Sequence, residues 1–155
     1  MSDQGVANES KRNGYLEYTW AEGHVYKGYW KNDKRDGYGE YKLKNGDSYV
    51  GDWKLDKADG DGLYKRSDGS VYTGGFKKGR FEGYGEINYV DGVRHYKGYW
   101  KSHKREGLGE YRHKNGDVYK GIFNFILRRS SAKTKIPWTQ FCRPRIYLVN
   151  PNLNP

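Results

Sequence analysis

A tyrosine, a glycine and a further aromatic residue recur at alternate positions five times along the chain. The sets are Tyr26-Gly28-Trp30, Tyr49-Gly51-Trp53, Tyr72-Gly74-Phe76, Tyr96-Gly98-Trp100 and Tyr119-Gly121-Phe123, spaced by 23, 23, 24 and 23 residues. A Gly-x-Gly pair follows in register at Gly37/Gly39, Gly60/Gly62, Gly83/Gly85 and Gly107/Gly109. A third glycine, at 46, 69, 92 and 116, precedes the next tyrosine. A period of this length marks a supersecondary unit that cannot bury its apolar side alone and has to stack on copies of itself. Four full units and two partial ones result. The N-terminal partial unit keeps Gly14, Tyr18 and Gly23 but has Leu16 where the second glycine of the pair belongs.

Apolar and polar residues alternate with period two in every unit, the signature of strands, and no 3.6-residue stripe is present. Tyr26, Gly28 and Trp30 share one face of a first strand, and Gly37, Gly39, Tyr41 and Leu43 one face of a second; Lys27, Tyr29, Lys31, Glu40, Lys42 and Lys44 point the other way. Asn45-Gly46, Asp68-Gly69, Asp91-Gly92 and Asn115-Gly116 are hairpin signals. A two-residue loop there would put Tyr49 opposite Lys42 and mix the faces, whereas a three-residue loop with the glycine left-handed puts Tyr49 opposite Tyr41, Gly51 opposite Gly39 and Trp53 opposite Gly37. Lys31 to Asp36 reads as a longer loop that sets Trp30 opposite Gly37, Gly28 opposite Gly39 and Tyr26 opposite Tyr41. Three rows then run across one face: tyrosines, glycines, and large rings alternating with glycine. A lysine after each ring and an acid before each glycine pair (Lys31/Asp36, Lys54/Asp59, Lys77/Glu82, Lys101/Glu106) are expected to close the long loops as ion pairs.

Composition now makes sense. With 22 Gly and 16 Tyr against a hydrophobic fraction of 34%, an aliphatic core is excluded, and rings lying over glycines have to replace it. The fold expected is all-β: an elongated single-layer antiparallel sheet of repeated 23-residue hairpins over 14–127, preceded by a flexible N-terminus, 1–13, and followed by a basic, Pro-containing tail, 128–155.

The unit Tyr-x-Gly-x-Trp, Gly-x-Gly, Asn/Asp-Gly resembles the MORN (membrane occupation and recognition nexus) repeat, over about Gly14 to Phe123. Phe76 and Phe123 in place of Trp, Ile87 in place of Tyr, and one residue inserted before Tyr96 are the departures; after Phe123 no Gly-x-Gly follows. The resemblance implies a stand-alone, non-enzymatic scaffold or adaptor for protein partners. Its implied settings are cytoplasmic: ciliary or flagellar radial-spoke assemblies of the axoneme, or membrane-associated cytoskeleton. The alternative it implies is an anionic phospholipid-binding membrane adaptor, or the regulatory module of a lipid kinase. The 32 residues after Phe123 are too few for the catalytic domain that enzyme homes of the repeat carry.

The residues themselves offer no catalytic set. Cys142 stands in the tail among arginines, and His24, His95, His103 and His113 fall on turns or strand ends at unmatched repeat positions, where a solvated role is expected. Gly-x-Gly opens a strand with no helix after it, so it is not a nucleotide fingerprint. No cofactor or metal is expected. Three surfaces are candidates for binding, the third being the tail. The first is the aromatic face, with the glycine row as a trough between Tyr26, Tyr41, Tyr49, Tyr64, Tyr72, Tyr96, Tyr111 and Tyr119 on one side and Trp30, Trp53, Phe76 and Trp100 on the other; its partner would be a protein. The second is a ridge of loop-tip cations, Lys34, Arg35, Lys57, Lys78, Arg80, Lys104 and Arg105, suited to anionic lipid headgroups.

Net charge is +10, but 23 basic and 19 acidic residues balance nearly over the first 123, and the remaining 32 carry six basic residues and no acid. Nucleic acid is therefore not expected as a partner. The tail has three readings: a cap on the last strand, a membrane or partner anchor, or a non-consensus terminus. The longest apolar stretch, Ile122 to Leu127, is broken by Asn124 and is too short to span a bilayer as a helix. No secretory leader is apparent in the first residues. Open sheet edges leave self-association available.

Overall fold

The structure, a computed structural model, describes residues 11–124. They form one antiparallel sheet of ten strands whose spatial order is their chain order. The strands are β1 (Gly14–Thr19), β2 (Val25–Lys31), β3 (Lys34–Lys42), β4 (Ser48–Lys54), β5 (Lys57–Lys65), β6 (Val71–Lys77), β7 (Arg80–Asn88), β8 (His95–Lys101), β9 (Lys104–Arg112) and β10 (Val118–Phe123). The single-layer sheet of repeated hairpins expected from the period is the one that forms.

Between β3 and β4 the register is as the three-residue loop requires: Tyr41 faces Tyr49, Gly39 faces Gly51 and Gly37 faces Trp53. Leu43 N–H donates to Asp47 O at 2.9 Å and Gly46 N–H to Leu43 O at 3.0 Å, closing a loop of Lys44, Asn45 and Gly46. Gly46 has φ 92°, a left-handed conformation that glycine adopts without steric cost.

The other connection overturns an expectation. Lys31 to Asp36 is not a loop: the strands run on until Lys31 faces Lys34, and Asn32 and Asp33 alone turn the chain, with φ of 50° and 66°. Such a two-residue turn with both φ positive matches the twist of the flanking strands. The surplus residues are absorbed within the ladder. Between the Gly28–Gly39 and Trp30–Arg35 pairs, Tyr29 on β2 is matched by Asp36, Gly37 and Tyr38 on β3, a bulge. Trp30 therefore lies opposite Arg35 and not Gly37. Likewise Trp53 faces Ala58, Phe76 faces Phe81 and Trp100 faces Arg105. The first glycine of each pair makes the bulge, Gly37 with φ 105°.

The second glycine makes room. A Cβ on Gly62 would lie 2.5 Å from Tyr49 Cε2 and 2.6 Å from its hydroxyl oxygen. Tyr26, Tyr49, Tyr72 and Tyr96 lie along the glycine row, and their hydroxyls donate to the carbonyls of Tyr29, Asp52, Gly75 and Tyr99 at 2.9–3.1 Å.

Successive hairpins are also tied at their turns. Of the four loop-closing ion pairs expected, Lys101–Glu106 forms, at 3.8 Å. Asp36 instead accepts Leu55 N–H (3.2 Å), Asp59 accepts Lys78 N–H (3.1 Å) and the Lys77 ammonium (2.9 Å), and Glu82 accepts Ser102 N–H (3.0 Å). These acids couple one repeat to the next rather than closing their own. Arg12 and Asn13, expected in the flexible segment 1–13, join the same ladder: Arg12 N–H donates to Asp33 at 2.9 Å, and Asn13 accepts Asn32 N–H at 2.9 Å. Residues 1–10, the expected strand extension to 127 and the tail 128–155 lie outside the described residues.

Candidate binding surfaces

All twelve aromatic residues singled out from the sequence stand on one face, but the trough expected there is filled. Tyr26, Tyr49, Tyr72 and Tyr96, at 0–4% exposure, occupy it themselves. Each is gripped edge-on by two large rings, one from its own strand and one from the next hairpin: Tyr26 by Trp30 (5.1 Å) and Trp53 (5.4 Å), Tyr49 by Trp53 (5.1 Å) and Phe76 (4.9 Å). Tyr72 sits in the same way between Phe76 and Trp100, and Tyr96 between Trp100 and Phe123. The zigzag is a core one ring thick. Tyr41, Tyr64, Tyr111 and Tyr119 form its half-buried margin. Burial pushes the hydroxyl pKa of Tyr26 and Tyr96 up to about 12, and raises those of Tyr49 and Tyr72 as well, so all four remain hydrogen-bond donors.

Two of the seven ridge cations also belong to that core. The Arg35 guanidinium lies 4.2 Å from the Trp53 ring and 4.8 Å from Tyr41, and its Nε is 3.1 Å from Asp56. Arg105 covers Tyr111 (4.5 Å) and Tyr96 (4.8 Å) and donates to the Tyr89 hydroxyl. Arg12, in the degenerate first unit, repeats the arrangement over Trp30 (4.2 Å) against Asp33 (3.2 Å). Phe81 takes the corresponding place in β7 and stacks on Tyr72 at 3.7 Å. A recurring Arg five residues after the ring was the sequence signal for this wedge.

The remaining ridge residues, Lys34, Lys57, Lys78, Arg80 and Lys104, do flank or form the two-residue turns. The true turn adds cations that the loop reading missed, because it pairs like charges directly: Lys31 with Lys34, Lys54 with Lys57, Lys77 with Arg80 and Lys101 with Lys104. Opposed like charges destabilise a sheet. Lys54, Lys57, Lys77 and Lys78, with Leu55 and Asp59, line a shallow hollow between two successive turns.

The reverse face carries what sequence reasoning passed over. Tyr29, assigned there only by alternation, is joined by Tyr15, Tyr38, Tyr84, Tyr99, Leu108 and Ile122 in one row across the strands, each at least half exposed. Tyr15 meets Tyr29 at 5.3 Å and Tyr84 meets Tyr99 at 5.4 Å.

Two of the histidines read as solvated are built into the turn columns. His24 Nδ1 accepts Lys44 N–H at 3.2 Å, and His103 Nδ1 accepts Phe81 N–H at 3.4 Å. Burial, with Arg80 and Arg66 nearby, lowers the His103 pKa. Among the described residues no group of three or more His, Cys, Asp and Glu is placed to hold a metal.

The repeat unit that the structure defines, from a core tyrosine through its hairpin to the next, is the unit that family comparison finds. The MORN repeat matches residues 26–48, 49–71, 72–94 and 96–118, more than half of the chain. The chain belongs to the MORN-repeat family. Each match begins on a tyrosine of the zigzag, and residue 95, between the third and fourth, is the insertion read from the sequence. The MORN repeat is a non-catalytic module of binding or membrane association. Comparison with curated proteins returned no match.

Proposed function

We propose that this MORN-repeat chain is a non-enzymatic scaffold that holds protein partners on the reverse face of its sheet. The observation that carries the reading is the exposed row Tyr15, Tyr29, Tyr38, Tyr84, Tyr99, Leu108 and Ile122. Rings on the opposite face pack on one another and are already desolvated, so they have little apolar surface left to bury on association. Exposed apolar rows are where association gains free energy. Aromatic residues of this kind dominate interface energetics. The setting implied by the family resemblance, a cytoplasmic cytoskeletal or ciliary assembly, is the one in which to look. Affinity capture with the tagged full chain, compared with Tyr29→Ser/Tyr38→Ser/Tyr84→Ser/Tyr99→Ser, tests the reading. A partner set that survives in the quadruple variant, with its melting curve unchanged, would refute it.

A second reading, association with anionic membranes, is supported by the cations lined up at the turns, where Lys31 faces Lys34 and Lys54 faces Lys57. Each cation near an anionic bilayer contributes about 1 kcal/mol. Co-sedimentation with vesicles containing phosphatidylserine, over a salt series, should show binding that is lost in Lys34→Glu/Lys57→Glu/Arg80→Glu; absence of binding at low salt sinks this reading.

A further inference from the structure

The middle of the reverse face differs from its two ends. Where the row holds Tyr29 and Tyr38 on one flank and Tyr84 and Tyr99 on the other, β4 and β5 place Asp52 and Asp61, both exposed. The main-chain N–H of Asp61 donates to Asp52 Oδ2 at 3.2 Å, which fixes the Asp52 carboxylate against β5. The adjoining row balances its charges at the ends, Glu17 with Lys27 at 3.5 Å and Glu110 with Lys120 at 3.0 Å, and is apolar in the middle at Val50 and Leu63. Among the ion pairs of the described residues, none involves Asp52 or Asp61.

What a carboxylate beside a ring takes up in this protein is shown three times within the chain. Arg12 lies between Asp33 and Trp30, Arg35 between Asp56 and Trp53, and Arg94 between Asp91 (2.6 Å) and Tyr89 (4.9 Å). In each set a guanidinium covers the ring and donates to the acid, the pairing its planar, weakly hydrated fork favours. Tyr38 stands directly opposite Asp52. It supplies, with Asp52 and Asp61, the ring and acids of a fourth such set, facing outward.

We propose that the reverse face docks a protein segment whose arginine enters between Tyr38 and the Asp52 and Asp61 carboxylates, with apolar side chains on either side resting on Tyr29 and on the Tyr84–Tyr99 pair. The inference deepens the scaffold reading and rests on it. Strands about 4.8 Å apart put Tyr29 roughly 10 Å from the arginine on one side and the Tyr84–Tyr99 pair roughly 14–19 Å from it on the other. A second copy of this chain packed by a two-fold axis through the centre of the row would set these acids against themselves, and an anionic membrane would meet the same repulsion; a cationic protein segment alone is complementary.

The test selects random 15-residue peptides on phage against the full-length protein, then measures synthetic copies in solution. Selected peptides are expected to carry arginine between apolar residues. Replacing it by citrulline should weaken binding at least tenfold, and Asp52→Asn/Asp61→Asn should weaken the arginine peptide equally while leaving the citrulline peptide unchanged. Peptides that lose binding in Tyr29→Ser/Tyr99→Ser but ignore the citrulline change would overturn the arginine assignment and keep the surface. Peptides indifferent to both tyrosines, or no enrichment over an unrelated immobilised protein, would overturn surface and assignment together. Sedimentation equilibrium completes the set: self-association abolished by Tyr29→Ser/Tyr99→Ser would make a second copy the occupant and overturn the inference.

Discussion

Gly62→Ala is the sharpest probe of how a sheet one layer thick makes a core. The added methyl would stand 2.5 Å from Tyr49 Cε2 and 2.6 Å from its hydroxyl, and Gly62 has no positive φ that would confuse the outcome with backbone strain. Tyr49 is 4% exposed and held edge-on by Trp53 and Phe76, so it cannot step aside without loosening both rings. Overpacking of this kind costs about 1–3 kcal/mol. Loss of the hydroxyl bond to Asp52 O adds about 0.5–1.5 kcal/mol. Against this, alanine in a strand is favoured over glycine by about 0.5–1 kcal/mol. The net expectation is a destabilisation of about 2–3 kcal/mol, or roughly 10 °C in the midpoint of a unit this size. Urea and thermal unfolding by circular dichroism measure it, and the same substitution in a Tyr49→Leu background should be nearly neutral, since the atoms it strikes are gone. If Gly62→Ala stabilises the protein, or is equally harmful in both backgrounds, the tyrosine does not lie in the glycine row as described.

Trp53→Ala with Trp100→Ala, which a binding role for the aromatic face would make a clean loss of partner capture, should instead unfold the sheet, since burying and removing such rings costs about 3–5 kcal/mol each; the near-ultraviolet spectrum reports it. Arg35→Met should cost about 1–2 kcal/mol by removing a cation from Trp53 and a charged donor from Asp56, while Lys34→Met beside it, relieving a like-charge pair, should be neutral or stabilising. His103, whose folded-state pKa is depressed, contributes stability that is complete above about pH 6.5 and is lost as pH falls towards the lower folded value. His103→Asp should therefore flatten the melting-temperature profile between pH 7 and 5, and an unchanged slope would show that burial and the nearby arginines do not depress the His103 pKa.

The hairpin, the faces and half of the register were legible because they follow from period-two alternation and from Asn/Asp-Gly, whose left-handed glycine fixes loop length. The other turns were not, because Asn32-Asp33, Leu55-Asp56 and Ser102-His103 contain no residue that demands positive φ, yet all adopt it. Six residues between Trp30 and Gly37 looked like a loop. The chain instead forms a tight turn and a bulge, and the first glycine of each pair, read as a space-maker, turns out to make the bulge. The ring-bearing residues were found, but not that four of them fill the glycine row. Alternation says which way a side chain points, whereas it does not say that a tyrosine will lie down along its own strand and fill the space between two rows.

That one geometric fact sets the two faces apart. A tyrosine that fills the glycine row removes the trough, removes the solvent-facing surface of the tryptophans, and leaves Arg12, Arg35 and Arg105 as the lid of a closed core. The repeat motif therefore encodes the fold, and residues that recur in all units are the poorest candidates for specific recognition. Specificity has to come from positions where one unit differs from the next. Across the reverse-face row such differences are sharp: tyrosine in β1, β2, β3, β7 and β8, aspartate in β4 and β5, glycine in β6, and aliphatic residues in β9 and β10. A partner that reads this row reads an ordered pattern of apolar, acidic and apolar contacts about ten strands wide, which no two stretches of the same sheet repeat.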